Sequence, residues 1–123
     1  MNHWVFVGLS DQAKGSSSNR VMNDEERLMY LLNATSRTFG VKQIDMISRR
    51  RGPHVCDARH GLYFLVRKNT RFSLKEMGRR LKKNHSTIQK SITRAMDIMS
   101  VDKSYKKIID QIQSEFDKEQ NQF

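Results

Sequence analysis

Cysteine is almost absent from this sequence, since Cys56 is the only one among 123 residues. A single cysteine cannot form a disulfide within the chain, which indicates a reducing compartment. The histidines are few and lack metal-ligand spacing; they are His3, His54, His60 and His85. We therefore expect no structural zinc, no other metal site and no cofactor.

Acidic residues are scarce in the middle of the chain. Residues 37–94 contain three of them, Asp45, Asp57 and Glu76, and two of these are interpreted below as helix caps or capping partners. No pair of carboxylates suits a nuclease, and no glycine-rich GxxxxGK phosphate loop occurs. We therefore expect a binding protein without catalysis, ATPase activity or a small-molecule substrate.

Long hydrophobic runs are also missing. The apolar stretch within MNHWVFVGL, at residues 1–9, follows no basic leader and is too short for a signal peptide or a membrane span. The sequence therefore predicts a cytoplasmic protein.

Positive charge is abundant and concentrated. The formal net charge is +10. Residues 37–94 carry sixteen Lys or Arg, whereas residues 1–36 and 95–123 hold more acidic than basic residues. Such a concentration attracts phosphates through counterion release, so nucleic acid is the expected partner. A membrane surface would favour one basic amphipathic helix, but here the cations lie in at least three segments.

The chain has the length of one small domain with a modest core. Residues 1–20 combine an apolar, β-prone stretch, which forms a short strand or docks on the domain, with a Gly/Ser-rich linker. We assign the domain to residues 21–118 and a frayed tail to 119–123. The predicted fold is all-α, a small helical bundle.

Helical periodicity predicts four elements outside residues 73–94. Asn23 or Asp24 caps the first helix and Gly40 ends it, with an apolar stripe of Leu28, Leu31, Leu32, Thr35 and Phe39. A short second helix presents Val41, Ile44 and Ile47 and stops before Pro53. Asp57 is expected to cap the third helix, which buries Ala58, Leu62, Leu65 and Val66 and leaves Arg59, Arg67 and Lys68 outside. Asp102 opens the last helix, with Tyr105, Ile108, Ile109, Ile112 and Phe116 on one face.

The sequence of residues 73–94 predicts two short helices joined by a basic turn. Ser73 and Glu76 have the spacing of a capping box, and Leu74, Met77 and Leu81 share one face. Lys82 and Lys83 interrupt the pattern before Asn84 provides a second N-cap. The second helix then begins at His85 or Ser86, runs to about Ser100, and buries Ile88, Ile92 and Ala95.

This pattern is typical of a helix-turn-helix. The start of its second helix meets base edges, where short side chains that donate and accept hydrogen bonds are needed. Asn84, His85, Ser86 and Thr87 meet that need. On the alternative interpretation, Asn84 and Ser86 only cap the helix, His85 lies on the surface and the lysines form a solvated turn.

Three consecutive arginines, Arg49, Arg50 and Arg51, precede Gly52-Pro53. A run of this kind is either solvated or, beside a helix-turn-helix, a probe of phosphates or of the narrow minor groove, whose negative potential attracts arginine.

From Leu31 to about Phe116 the chain resembles the C-terminal DNA-binding domain, domain IV, of the bacterial replication initiator DnaA. The resemblance rests on FSLKEMGRRLKKNHSTIQKSITR at 72–94, SRRR at 48–51 and VCDARHGLYFLVRK at 55–68. It implies an all-α bundle whose helix-turn-helix binds short DnaA boxes in double-stranded DNA, in a nucleoid-associated protein. The upstream ATPase module of that family has no counterpart in the sequence, so we expect no origin melting.

The resemblance also implies roles for individual residues. Arg51 aligns with a minor-groove arginine, and Arg59, Arg67 and Thr70 align with residues near the DNA backbone. With the start of the second helix included, the expected base contacts are Arg51, Asn84, His85, Ser86 and Thr87. The residues expected to contact the DNA backbone are Arg49, Arg50, Arg59, Arg67, Thr70, Lys75, Lys82, Lys83 and Lys90. The chain departs from the family at Asn84, where aspartate is common. Because asparagine also donates hydrogen bonds, the preferred base can differ there.

Three functions stay open at this point. The first is a stand-alone protein that binds DnaA-box-like DNA, favoured as a monomer although the last helix offers a possible dimer face. The second is a transcriptional regulator with an unrelated operator. The third is an interaction module that docks on replication proteins through its basic surface.

Overall fold

The computed structural model describes residues 22–120, and this part of the chain folds into six α-helices without a β-strand. They are α1 (Asp24–Phe39), α2 (Gln43–Ile47), α3 (Pro53–Asn69), α4 (Leu74–Leu81), α5 (His85–Val101) and α6 (Lys103–Gln120). The all-α prediction is confirmed. None of these helices is long and apolar enough to cross a membrane.

The N-terminal strand or docking segment and the linker predicted within residues 1–20 lie outside the described residues, as do residues 121–123. The predicted tail overlaps α6, because residues 119 and 120 are still helical.

Helix α3 is the centre of the bundle, since it packs against α1, α2, α5 and α6. Its side chains Leu62, Tyr63 and Leu65 are completely buried. Leu31 of α1 and Ile112 of α6 are equally buried in the same core. Burial of each such aliphatic side chain stabilises the fold by about 1.5–3 kcal/mol. The core therefore fixes the positions of the shorter helices α2 and α4 at the surface.

The ends of α1 confirm the predicted signals. Asn23 accepts a hydrogen bond from the Glu26 backbone N–H at 2.8 Å, and the Glu26 side chain accepts from the Asn23 backbone N–H at 2.9 Å. This reciprocal capping box satisfies two N–H groups that a helix start leaves unpaired. Gly40 ends the helix at φ +70°, in the left-handed region that glycine adopts without strain.

Helix α2 and the start of helix α3 differ from the prediction. The buried residues of α2 are Gln43 and Met46, whereas Ile44 is 51% exposed. Helix α3 begins at Pro53, so Asp57 lies inside the helix and does not cap it. Proline suits the first position of a helix because its φ is already helical and its missing N–H would have no partner there.

Candidate nucleic-acid interface

Helix α4 is capped at its start and paired with α1 near its end. The Ser73 hydroxyl accepts a hydrogen bond from the Glu76 backbone N–H at 3.1 Å, as predicted for an N-cap. The expected capping box does not form, because the Glu76 carboxylate accepts hydrogen bonds from Arg79 and Arg80 instead. Those hydrogen bonds lower the pKa of Glu76. Arg80 also pairs with Glu25, which attaches α4 to the start of α1.

The connection between α4 and α5, which we call the HTH turn, comprises residues 82–84. Lys82 adopts φ +61°, and the backbone N–H of Lys83 donates to the Gly78 carbonyl at 2.8 Å. A Cβ atom on Gly78 would lie 2.4 Å from the Lys83 carbonyl oxygen. Only glycine permits this close approach of the turn to α4.

The start of α5 presents its polar residues to solvent. Asn84 Oδ1 accepts hydrogen bonds from the Ser86 backbone N–H at 2.9 Å and the Ser86 hydroxyl at 2.7 Å. Asn84, His85, Ser86 and Thr87 are all exposed, whereas Ile88 is completely buried beneath them. The predicted helix start at His85 is confirmed. The same four residues are thus a capped helix start and an accessible polar surface.

Two residues on this surface escaped the sequence interpretation. Gln89 and Thr93 line a shallow surface depression together with Ser86 and Lys90. Gln89 follows Ser86 by three positions, and Thr93 follows Gln89 by four. This spacing is the available signal, because residues at these intervals share a helix face. A glutamine amide can donate to and accept from a base edge.

The arginine loop, which we define as residues 48–52, lies next to this helix start. Arg49, Arg50 and Arg51 are exposed. Arg50 Nε lies 3.6 Å from an Asp45 carboxylate oxygen. Within the loop, the Ser48 hydroxyl accepts a hydrogen bond from the Arg50 backbone N–H at 3.1 Å. A local hydrogen bond thus supports the loop backbone, and its three arginine side chains are accessible from solvent.

Arg59 does not lie where the sequence predicted. The residue is 8% exposed, so the expectation that it lies outside the buried face of α3 is wrong. Its Nε donates to the carbonyl of Met46 at 2.8 Å, and its Nη2 donates to carbonyls of the α2 end and the arginine loop. These further acceptors are Asp45, Ser48 and Arg50, at 2.7, 3.2 and 2.8 Å. Periodicity alone missed this because a long guanidinium can be buried where unpaired carbonyls surround it.

Lys83 connects the HTH turn to the arginine loop. Its Nζ donates a hydrogen bond to the Ser48 carbonyl at 2.7 Å. Partial burial, and then the neighbouring charges of Arg59, Arg49 and Arg51, lower the pKa of Lys83. Four cations therefore lie close together, an arrangement that an approaching polyanion stabilises.

Most of the other residues predicted to contact the DNA backbone are exposed. Lys75, Lys82 and Lys90 are exposed. Arg67 is also exposed, although its Nη1 donates to the Phe72 carbonyl at 2.9 Å. Thr70 is half-buried at the end of α3, where its hydroxyl donates to the Val66 carbonyl at 2.8 Å. Its contact with the DNA backbone stays a prediction.

Comparison with known proteins identifies the family. Residues 29–95 match the family described as "Bacterial dnaA protein helix-turn-helix". The chromosomal replication initiator protein DnaA of Aliarcobacter butzleri (strain RM4018) is 27% identical over 107 residues, which cover 86% of this chain. The chain spans 23% of the length of that relative.

The matched region contains the arginine loop, the HTH turn and the first eleven residues of α5. It covers more than half of the chain, and the family binds double-stranded DNA. The sequence resemblance is thereby confirmed, and the chain belongs to the bacterial DnaA helix-turn-helix family.

Proposed function

We propose that the chain binds DnaA-box-like sites in double-stranded DNA in a sequence-specific manner. The start of α5 enters the major groove, where Asn84, His85, Ser86 and Thr87 face base edges. Arg51 of the arginine loop enters the neighbouring minor groove. The proposed role is associated with replication.

One observation carries this proposal: two exposed elements of suitable chemistry lie side by side. The polar start of α5 follows directly on the HTH turn, and Lys83 of that turn contacts Ser48 of the arginine loop. A helix start and an arginine loop that approach one duplex together can reach adjacent grooves. Both elements come from one chain, so a monomer is sufficient for the proposed binding. The proposed location is the cytoplasm, in association with the nucleoid.

Phosphate contacts fix the register of such a complex. The cations proposed for this role are Arg49, Arg50, Arg67, Lys75, Lys82, Lys83 and Lys90. With the exception of half-buried Lys83, their side chains are exposed. Phosphate contacts of this kind determine affinity and salt dependence, whereas sequence preference comes from the base edges.

Selection of bound duplexes from a random pool at moderate salt tests the proposal. Enrichment of sites that resemble DnaA boxes is expected. A single unrelated motif would favour a transcriptional regulator. Weak binding without any sequence preference would contradict sequence-specific recognition and favour a module that docks on replication proteins. A chain in which Asn84, His85 and Thr87 are replaced by alanine is the matched control, because it keeps the basic surface and the core.

A further inference from the structure

Arg59 is a buried cation that the proposed DNA contacts leave unexplained. Its guanidinium donates to four backbone carbonyls. Two of these carbonyls, those of Asp45 and Met46, belong to α2, and the other two, those of Ser48 and Arg50, belong to the arginine loop. One side chain from the central helix α3 thus binds both α2 and the arginine loop that follows it.

The planar guanidinium is suited to this task. Its N–H groups point in fixed directions and can reach several acceptors at once, whereas a lysine ammonium is a single point of charge on a flexible stem. Because the guanidinium is buried, each carbonyl that it satisfies would otherwise lose hydrogen bonding to water without replacement. The backbone of the loop therefore depends on arginine at this position.

The same loop is also held by the HTH turn. The Ser48 carbonyl accepts hydrogen bonds from Arg59 Nη2 at 3.2 Å and from Lys83 Nζ at 2.7 Å. Arg59 belongs to the core helix, and Lys83 belongs to the HTH turn immediately before α5. One carbonyl therefore fixes the position of the arginine loop relative to the start of α5.

We propose that Arg59 is a positioning residue that sets the placement of the arginine loop beside α5, and that it makes no contact with DNA. The loop then presents Arg51 at a fixed distance and angle from the bases that α5 meets. Two grooves of one duplex are read together only when this distance matches the duplex geometry. Arg59 thereby contributes to sequence discrimination through the loop that it holds. The DNA part of this inference rests on the proposed function, whereas the loop part does not.

The loop part is tested without DNA by limited trypsin digestion, with the cleavage sites identified by mass spectrometry. Cleavage after Arg49, Arg50 and Arg51 should be about tenfold faster in Arg59→Met and in Arg59→Lys than in the unchanged chain, because the local structure opens more often. The control is Ile112→Val, which weakens the core away from the loop. Equal acceleration in this control would show a general loss of stability and overturn the positioning role.

The unchanged chain provides a second measurement that requires no variant to fold. A buried, hydrogen-bonded Arg59 Nε–H exchanges slowly with water and should give a persistent proton–nitrogen NMR signal. That signal should stay in place when a selected duplex is added. Loss of the signal, or a large shift on binding, would show that the guanidinium turns outward to a phosphate and would overturn the inference.

Binding assays separate positioning from a phosphate contact. In Arg59→Lys, the preference for the selected duplex over a scrambled one should fall about tenfold while the salt slope stays unchanged. If Arg59 touched a phosphate, lysine would retain most of the affinity. Arg59→Met would then lower the salt slope by about one. If the unchanged chain shows no preference at all, the proposed function fails, and the digestion and NMR results still decide whether Arg59 holds the loop.

Discussion

The Lys83 ammonium lies 2.7 Å from the Ser48 carbonyl oxygen, which joins the HTH turn to the arginine loop. These residues are 35 positions apart in the chain, and their contact brings together the two segments proposed to meet DNA. The contact also places a lysine among Arg49, Arg51 and Arg59, whose charges contribute to its lowered pKa. Four cations are therefore close together where the HTH turn meets the arginine loop.

Loss of a base contact should affect discrimination more than general affinity. Arg51→Ala and His85→Ala should each reduce the preference for a selected duplex over a scrambled one by about 1–3 kcal/mol. Competition titrations with both duplexes measure this difference. Lys107→Ala, at an exposed position on α6, is the control. Equal weakening on the two duplexes would reject base contact for the residue changed.

Loss of a phosphate contact should have the opposite signature. Lys90→Ala should weaken binding to selected and scrambled duplexes alike, because a phosphate carries no sequence information. The slope of log affinity against log salt should become shallower by about one. Titrations at four or more salt concentrations give that slope, and an unaltered value would exclude Lys90 from the backbone contacts.

The HTH turn should not tolerate a side chain at Gly78. Gly78→Ala places a Cβ atom 2.4 Å from the Lys83 carbonyl oxygen. We expect the free energy of unfolding to fall by about 2–4 kcal/mol and duplex binding to weaken, since the turn must move. Chemical denaturation and a binding titration measure the two effects. Gly52→Ala is the matched control for stability, because no atom lies within 4 Å of its added Cβ; a similar loss of unfolding free energy in both variants would contradict the steric explanation.

Stability should depend on pH through His60. Burial lowers the pKa of this histidine below its ordinary value of 6.5, as do the charges of Arg94 and Arg59 to a smaller extent, against the opposing effect of Asp57. The unfolded chain therefore binds a proton at a higher pH than the folded chain. The contribution of neutral His60 is fully present above pH 6.5 and decreases as the pH falls from there towards the folded pKa.

Denaturation curves at several pH values between about 7.5 and 5 test this dependence on the titration of histidine. The unfolding free energy of the unchanged chain should decrease with falling pH more steeply than that of His60→Gln. Parallel curves for the two chains would show that His60 does not contribute to acid destabilisation.

Local signals accounted for most of the fold. The caps at Asn23, Ser73 and Asn84 each depend on a side chain and a backbone N–H two or three residues away. Because such interactions lie within one turn of helix, the sequence is sufficient to predict them. The start of α5, and with it the exposed polar residues of the interface, was predicted correctly for this reason.

The errors arose where several interactions compete. Glu76 has the spacing of a capping partner, but two nearby arginines bind its carboxylate more strongly than a backbone N–H does. Pro53 can end a helix or begin one, and the neighbouring residues do not distinguish these cases. A five-residue helix such as α2 has too few turns to define a face.

Arg59 shows a different limit. Its role depends on carbonyls that lie 9 to 14 positions away in the chain and become its neighbours only after folding. The sequence contains a cation beside an arginine run, a pattern that favours a surface contact. Only the tertiary structure shows the carbonyls that this cation satisfies.

Chemical protection with dimethyl sulfate tests the central claim most directly, because the reagent methylates guanine N7 in the major groove and adenine N3 in the minor groove. On a selected duplex, the chain should protect guanines in one major-groove segment and adenines in the adjacent minor groove. Arg51→Ala should remove the minor-groove protection alone, and the triple alanine variant at Asn84, His85 and Thr87 should remove the major-groove protection. Protection of neither groove, or a pattern unchanged by these substitutions, would contradict joint recognition by α5 and the arginine loop.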